Sequence, residues 1–253
     1  MIPAAKQNSL LRPMLDTLGA ESLSALELIE LKQGEALASP GTVQRYAYFP
    51  ISALISLEWE NSPHCRTQIA LVGPADVTGL MSLDDDDPRR QLTVAVAGHA
   101  VRCPLRIWPT IVGDYPAARL WLEQERRVYV CSASIAAACA ANHSVSQRLA
   151  RWILYAASLA SRAELPIGHD DIARFLAVRR ESVGLGLKHF ARRGLIALSR
   201  RRIIVHRPGA LARQACRCNA PSKLERERER ERGTLKRKRM VEREGLEPST
   251  PAL

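Results

Sequence analysis

Residues 8–28 carry apolar positions in short helical pieces, with Leu23, Leu26 and Leu28 on a mostly apolar surface. From Ile29 the pattern shifts to short β-type runs punctuated by turn residues at Gly34, Pro40-Gly41, Pro50, Asn61-Ser62-Pro63 and Gly73-Pro74. Between these breaks, Tyr46–Phe49, Leu54–Trp59, Gln68–Val72 and Leu92–Ala97 read as strands, and strands at this spacing predict a sandwich or barrel. The run Asp84–Asp87, closed by Pro88, reads as a solvated charged loop.

After Pro116 the period becomes helical. Leu120, Gln124, Val128, Cys131, Ile135 and Ala138 recur at spacings of three and four, which places one stripe along a helix over 117–141. Its small residues (Ala133, Ala136, Ala137, Ala138, Ala140 and Ala141) permit close approach by another helix. Such a stripe serves a core as readily as an oligomer seam. Ser144-x-x-Gln147 fits a capping box opening a second helix with Leu149, Ile153, Ala156 and Leu159, and Pro166 closes the segment.

The stretch 165–205 has the spacing of a helix-turn-helix. Gly168 precedes a helix with Ile172, Ala173 and Leu176 inward, Ala177-Val178 forms the turn, and a second helix runs from about Arg179 to Arg192 with Val183 and Leu187 inward. Its first turns hold Arg179, Arg180, Glu181 and Ser182. In a major groove an Arg there forks onto guanine and a Glu accepts from cytosine. Ser182 and Lys188, with His169 at the start of the first helix, are further DNA-facing candidates, and two of them suit phosphates. Leu195–Leu198 and Ile203–Val205 flank a tip with Arg200, Arg201 and Arg202, a hairpin wing whose arginines suit backbone phosphates.

Charge reinforces this reading. The chain has 253 residues and a net charge of +11, yet residues 1–160 sum to −1 and residues 161–219 alone to +9. Positive charge concentrated on one small unit is the footprint of phosphate-backbone binding; a solvated basic face, an anionic-membrane contact or a protein-binding helical bundle shares it. No apolar run is long enough for a membrane span, and the N-terminus lacks the basic start and apolar core of a secretion signal, so a cytoplasmic protein is expected. Six scattered cysteines without a CxxC pair predict reduced, buried thiols; no metal-ligating set is read from them.

The segment LPIGHDDIARFLAVRRESVGLGLKHFARRGLIALSRRRIIV resembles the C-terminal winged helix of bacterial Crp/Fnr-type transcription regulators. LKQGEALASPGTVQRYAYFPISALISL and QIALVGPADVTGL are similar to their cyclic-nucleotide-binding-like barrel, and CAANHSVSQRLARWIL to the stretch joining dimerisation helix and DNA-binding domain. The likeness covers about residues 25–218. It implies an α+β protein: an N-terminal antiparallel β-barrel or jelly roll over 1–116, a dimerisation helix and linker helix over 117–160, and a winged helix-turn-helix over 161–219. It further implies a homodimer on a two-fold symmetric operator in double-stranded DNA, with RNA polymerase as a partner and Arg180, Glu181 and Ser182 nearest the bases. Gly168 stands where many relatives have a capping Thr, Ala177 replaces the frequent turn Gly, and Leu185 replaces a DNA-contacting Arg. The operator therefore cannot be borrowed from relatives.

The effector pocket departs further. In the phosphate cassette, Gly79 is followed by Leu80 in the position of the family's Glu, and Arg90, the residue aligned with the cassette Arg, is followed by Gln91 rather than Ser or Thr. Each missing buried partner would cost about 1–3 kcal/mol, so Arg90 reads as a loop arginine and cyclic AMP is not expected to bind. No cysteine precedes Cys65, which argues against the family's N-terminal iron–sulfur cluster, while His64 and His99 leave a haem open. His64 and His99 lack the His-x-His neighbourhood of metal-dependent barrel enzymes, and no GxSxG, P-loop or HExxH occurs, so no enzyme activity is expected. A small-molecule sensor or protein-interaction module without specific DNA binding is the alternative. Residues 220–253 alternate Glu and Arg and then cluster Lys and Arg, a low-complexity tail expected to build no core: the product of a shifted or extended reading frame, or else a basic arm adding nonspecific DNA affinity.

Overall fold

In the computed structural model, residues 3–62, 65–83 and 88–218 are described; His64, the Asp84–Asp87 run and the 220–253 tail lie outside them. Seven strands build two antiparallel sheets. One has the order β1-β7-β3, from β1 (Glu27–Leu31), β7 (Gly98–Pro104) and β3 (Tyr46–Pro50). The other has the order β2-β6-β4-β5, from β2 (Ala36–Ala38), β6 (Arg90–Val96), β4 (Leu54–Ser62) and β5 (Cys65–Val72). Strands β1, β2 and β7 were not singled out by the sequence pattern. Ile55, Leu57, Val72, Leu92 and Val94 form the core between the sheets with Leu31, Tyr48 and Ala100.

The N-terminal segment closes one end of this roll. Its helix is short, α1 (Ala20–Ser24), and residues 9–17 run as successive turns, where short helical pieces were expected. Pro13 removes a helix donor, and the buried Asn8 side chain takes local amides: its Oδ1 accepts from Leu10 N and Leu11 N at 3.0 and 3.2 Å. Its Nδ2 donates to Pro50 O and Asp76 O at 2.9 and 3.0 Å, tying the segment to the sheets. Leu11, Met14 and Leu15 then pack with Phe49, Trp108 and Trp121, the latter two from α2 (Trp108–Asp114) and α3 (Arg119–Asn142).

α4 (Val145–Ala160) opens with the expected capping box: Ser144 Oγ accepts from Gln147 N at 3.3 Å, and Ser144 N donates to Gln147 Oε1 at 3.0 Å. The helix-turn-helix is α5 (His169–Leu176) and α6 (Arg180–Arg192). Between them Ala177 sits at φ 49, ψ 54, a left-handed conformation costly for a residue with a Cβ. A small sheet of order β8-β10-β9 follows from β8 (Glu164–Leu165), β10 (Arg202–Val205) and β9 (Ile196–Ser199), and α7 (Pro208–Ala212) ends the unit.

Alternation along β4 decides how the sheets meet the helical region that follows them. Ile55 and Leu57 point into the core between the sheets, so Leu54, Ser56 and Glu58 point the other way, and these too are fully buried. What covers them is the helical C-terminal region. Leu54, Leu71, Ala95 and Val96 share one continuous apolar core with Leu149, Trp152, Ile153, Phe175, Leu187 and Phe190. Trp152 Nε1 donates to Gln68 Oε1 at 2.7 Å, and Arg174 Nε lies 3.8 Å from Glu58 Oε2. Burial raises the Glu58 carboxyl above its ordinary value, and the Arg174 guanidinium opposes that shift.

Candidate nucleic-acid interface and effector pocket

The second helix of the helix-turn-helix presents its outer face to solvent. Val183, Leu187 and Phe190 anchor the inner face with no exposure, which turns Glu181, Leu185, Lys188 and Arg192 outward, with Ser182 half-buried at the edge. Leu185 is 70% exposed in the middle of this otherwise polar face. Arg179 is the residue before the first turn, extended at ψ 142 and exposed, and Arg180 opens the helix. Arg180 Nε pairs with Asp170 Oδ1 at 3.2 Å, with both side chains largely in water. His169 is half-buried at the start of α5.

The wing arginines divide into two kinds. Arg201 Nη2 donates to Asp171 Oδ2 at 3.0 Å, and Arg202 Nη1 donates to Glu164 Oε1 at 2.9 Å. Arg200 is exposed at the tip and makes no ion pair among the described residues. Asp171 is the organiser: its Oδ2 also accepts from Gly168 N at 3.2 Å, and its Oδ1 lies 3.6 Å from Arg174 Nη2. It supplies from the third helical position the cap that Gly168 lacks, and it holds the wing turn, where Arg201 adopts φ 55, against the start of α5. Nothing local in the sequence marks Asp171 for this role, because its partner Arg201 is 30 residues away.

In the barrel, the cassette positions surround a side chain that the sequence did not single out. Glu125 of α3 is buried, and its carboxylate accepts from Gly79 N at 2.8 Å and Met81 N at 3.1 Å. Gly79 is required here: at φ 100, a Cβ would lie 2.5 Å from Tyr46 O. Leu80 is fully buried in the core beneath the N-terminal segment. Arg90 opens β6 and lines a cavity with Gly79, Met81, Ser82 and Glu125, so it belongs to the pocket wall rather than to a loop; Gln91 is buried beside it. That cavity measures about 30 Å³. Burial raises the Glu125 carboxyl to about 7 against the opposing pull of its amide donors. Its partners lie 44 and 46 residues away, so nothing local distinguishes it from a solvated helix glutamate. His99 is exposed on β7 and does not face this cavity.

The long helix divides differently from the expected stripe. Trp121, Glu125 and Cys139 are buried, and Gln124, Val128 and Ile135 are half-buried. Val130, Cys131, Ser134, Ala137, Ala138 and Ala141 form the exposed face, with Val130 58% exposed. The stripe read from the sequence thus straddles two faces, since a residue alphabet rich in alanine leaves the phase of the periodicity poorly defined. Among the described residues no helix is long and apolar enough to cross a membrane.

A family model for the Crp-like helix-turn-helix domain matches residues 147–214. Among solved structures, the chain is similar to a CRP-family transcriptional regulator from Thermus thermophilus, with 22% identity, 76% of this chain and 99% of that chain covered, and a TM-score of 0.61. FixK2 from Bradyrhizobium japonicum matches with 15% identity, 76% and 98% coverage and a TM-score of 0.63. A second transcriptional regulator from Thermus thermophilus, of the CRP/FNR family, gives 20% identity, 75% and 98% coverage and a TM-score of 0.58. No curated protein sequence matches the chain. Residues 147–214 are a Crp-like helix-turn-helix domain, carried on a chain with the fold of the CRP/FNR transcriptional regulators.

Proposed function

We propose that the protein is a cytoplasmic DNA-binding transcription regulator that binds a two-fold symmetric operator as a homodimer, with RNA polymerase as a further partner. The observation that carries this reading is the exposed start of α6, where Arg179, Arg180 and Glu181 stand free of the core on the segment holding a net charge of +9. In a major groove Arg180 reads guanine and Glu181 cytosine, while Leu185 offers an apolar contact to a thymine methyl. Releasing Arg180 from Asp170 costs at most about 1 kcal/mol, because the pair is solvent-exposed. Arg200 is the wing's phosphate contact; Arg201 and Arg202 hold the wing in place.

Arg180→Ala is expected to weaken the best selected duplex by about 1–3 kcal/mol and to relax the preference at one base pair. Arg200→Ala is expected to weaken selected and scrambled duplexes alike, with the salt slope falling by about 0.9 for one lost phosphate contact. Both follow from titrations across a salt series. Equal weakening of both duplexes by Arg180→Ala would make Arg180 a phosphate clamp and overturn the base-reading assignment.

The exposed face of α3 is the proposed dimer seam. Val130, Ser134, Ala137 and Ala141 recur at spacings of four, three and four, and their small side chains allow close helix approach. Val130→Glu combined with Ala137→Glu would bury like charges across the two-fold axis, so light scattering should report the monomer mass. An unchanged dimer mass would place the seam elsewhere.

As to an effector, the 30 Å³ cavity is far below the roughly 300 Å³ of an ordinary ligand pocket, and the Glu125 carboxylate already occupies the amides of Gly79 and Met81. This supports a regulator that does not take a cyclic nucleotide.

A further inference from the structure

Three cysteines and a histidine, far apart in sequence, converge where the long helix gives way to the DNA-binding domain. Cys139 lies in the last turn of α3, and His143 is the residue that ends it, one helical turn further on. Cys216 and Cys218 follow α7, at the far end of the winged helix. Their four ligand atoms all lie within 4.8 Å of one another. Cys139 Sγ is 3.2 Å from Cys216 Sγ, and Cys218 Sγ is 3.6 Å from His143 Nδ1. We propose that Cys139, His143, Cys216 and Cys218 form a four-coordinate site for a thiophilic divalent ion, with zinc as the ion that fits.

Geometry carries the choice. Zinc binds thiolate sulfur at about 2.3 Å and imidazole nitrogen at about 2.0–2.1 Å in a tetrahedron, which sets neighbouring ligand atoms about 3.5–3.8 Å apart. The Cys218–His143 separation of 3.6 Å lies in that range, the Cys139–Cys216 separation of 3.2 Å falls a little short of it, and no pair exceeds 4.8 Å, so small side-chain adjustments suffice to close on an ion. A polynuclear iron–sulfur cluster, with several metal ions between its thiolates, would need them set wider. A disulfide would use only two of the four groups and leave no role for His143 or Cys218. Cys139 and His143 share one helix face at i and i+4, so both side chains reach one point, and Cys216 and Cys218, closer together than the usual ligand pair, meet them from irregular chain.

Cys139 and Cys216 are buried, and Cys218 and His143 are half-buried, so the site is enclosed yet reachable. Three thiolates and a neutral imidazole around a divalent ion leave one negative charge; burial works against charge at Cys139, and the Arg151 guanidinium of α4 opposes that. Cys216 N donates to Gln147 O at 3.4 Å and His143 N to Cys139 O at 3.1 Å, which fixes the backbone on both sides. The bound ion would clip the chain that follows α7 onto the end of α3 and set the angle at which α6 is presented.

The test uses the full chain, stripped of metal and held reduced with a phosphine that does not bind metal, and cobalt(II) as probe. One cobalt per chain is expected, with the intense visible bands of tetrahedral coordination and a thiolate charge-transfer band, both abolished when zinc displaces it. Cys218→Ser, at a half-buried position, should lose the charge-transfer intensity while keeping the circular dichroism of the parent. Zinc at a hundred times its dissociation constant should lower the unfolding equilibrium constant about a hundredfold in the parent and far less in the variant. A weak octahedral cobalt spectrum, a spectrum unchanged by Cys218→Ser, or a Cys139–Cys216 disulfide in place of metal uptake would each overturn the site. These readouts involve no DNA, so their failure leaves the regulator reading where it stands.

Discussion

Trp152→Ala is expected to destabilise the whole protein by about 3–5 kcal/mol, more than a typical core truncation in either half alone. The indole is 3% exposed and stacks on Phe175 at 5.7 Å between ring centroids, inside the core shared by the helix-turn-helix and the outer face of β4 and β5. Truncation removes this apolar contact and leaves a void. It also strands the buried Gln68 amide oxygen, whose indole donor lies 2.7 Å away, at about 1–3 kcal/mol. Trp152→Phe keeps the stacking and loses only the hydrogen bond, so its cost should be the smaller part. Urea titrations followed by circular dichroism and by fluorescence of the remaining tryptophans measure both. A loss below about 1 kcal/mol for Trp152→Ala would mean that the shared core is not mechanically continuous.

Glu125 should give the protein an acid-side stability gain. Its folded value is raised to about 7 by burial, above the ordinary glutamate range, so between about pH 4.5 and 7 the folded state binds more proton than the unfolded chain. Stability from this group is therefore greatest below the unfolded value, falls as pH rises, and levels off above 7. A rise from the ordinary 4.5 to about 7 corresponds to about 3 kcal/mol at 1.36 kcal/mol per pH unit. Glu58, raised by the same cause, acts in the same direction, so the measurement has to be differential. Glu125→Gln should remove about 3 kcal/mol of pH-dependent change between pH 4.5 and 8 relative to the parent. An identical pH profile in the variant would show that the carboxyl titrates normally.

Features encoded over a few residues were legible in the sequence. The Ser144 capping box, the inward positions Ile172, Leu176, Val183 and Leu187, and the hairpin around Arg200–Arg202 depend on neighbours within a turn or two. Alternation identified β3, β4, β5 and β6, where apolar runs are long. It missed β1, where only Leu31 is buried, β2, which spans three residues, and β7, where Gly98 and Pro104 mimic loop chemistry. The functional environment resisted reading for a different reason. Glu125 is defined by amides of the cassette turn, Asp171 by an arginine on the wing, and Cys139 by Cys216, 77 residues on. Each is a polar side chain whose role exists only after distant elements pack, and hydrophobic periodicity carries no information about such partners. Leu185 shows the converse: its departure from the family pattern was visible, but only the fold shows that it stands exposed on the outer face of α6.

Both parities of β4 are buried, and this bears on how the chain could be recombined. A DNA-binding domain transplanted from another regulator would meet Leu54, Ser56 and Glu58 with a surface not shaped for them, and a bare graft would leave an apolar sheet face in water. Excising residues 144–218 would likewise uncover Trp152 and Phe175 on the isolated fragment. Barrel and reader are therefore not interchangeable cassettes in this protein, and substitutions along β4 and those along α4 and α5 are constrained to change together.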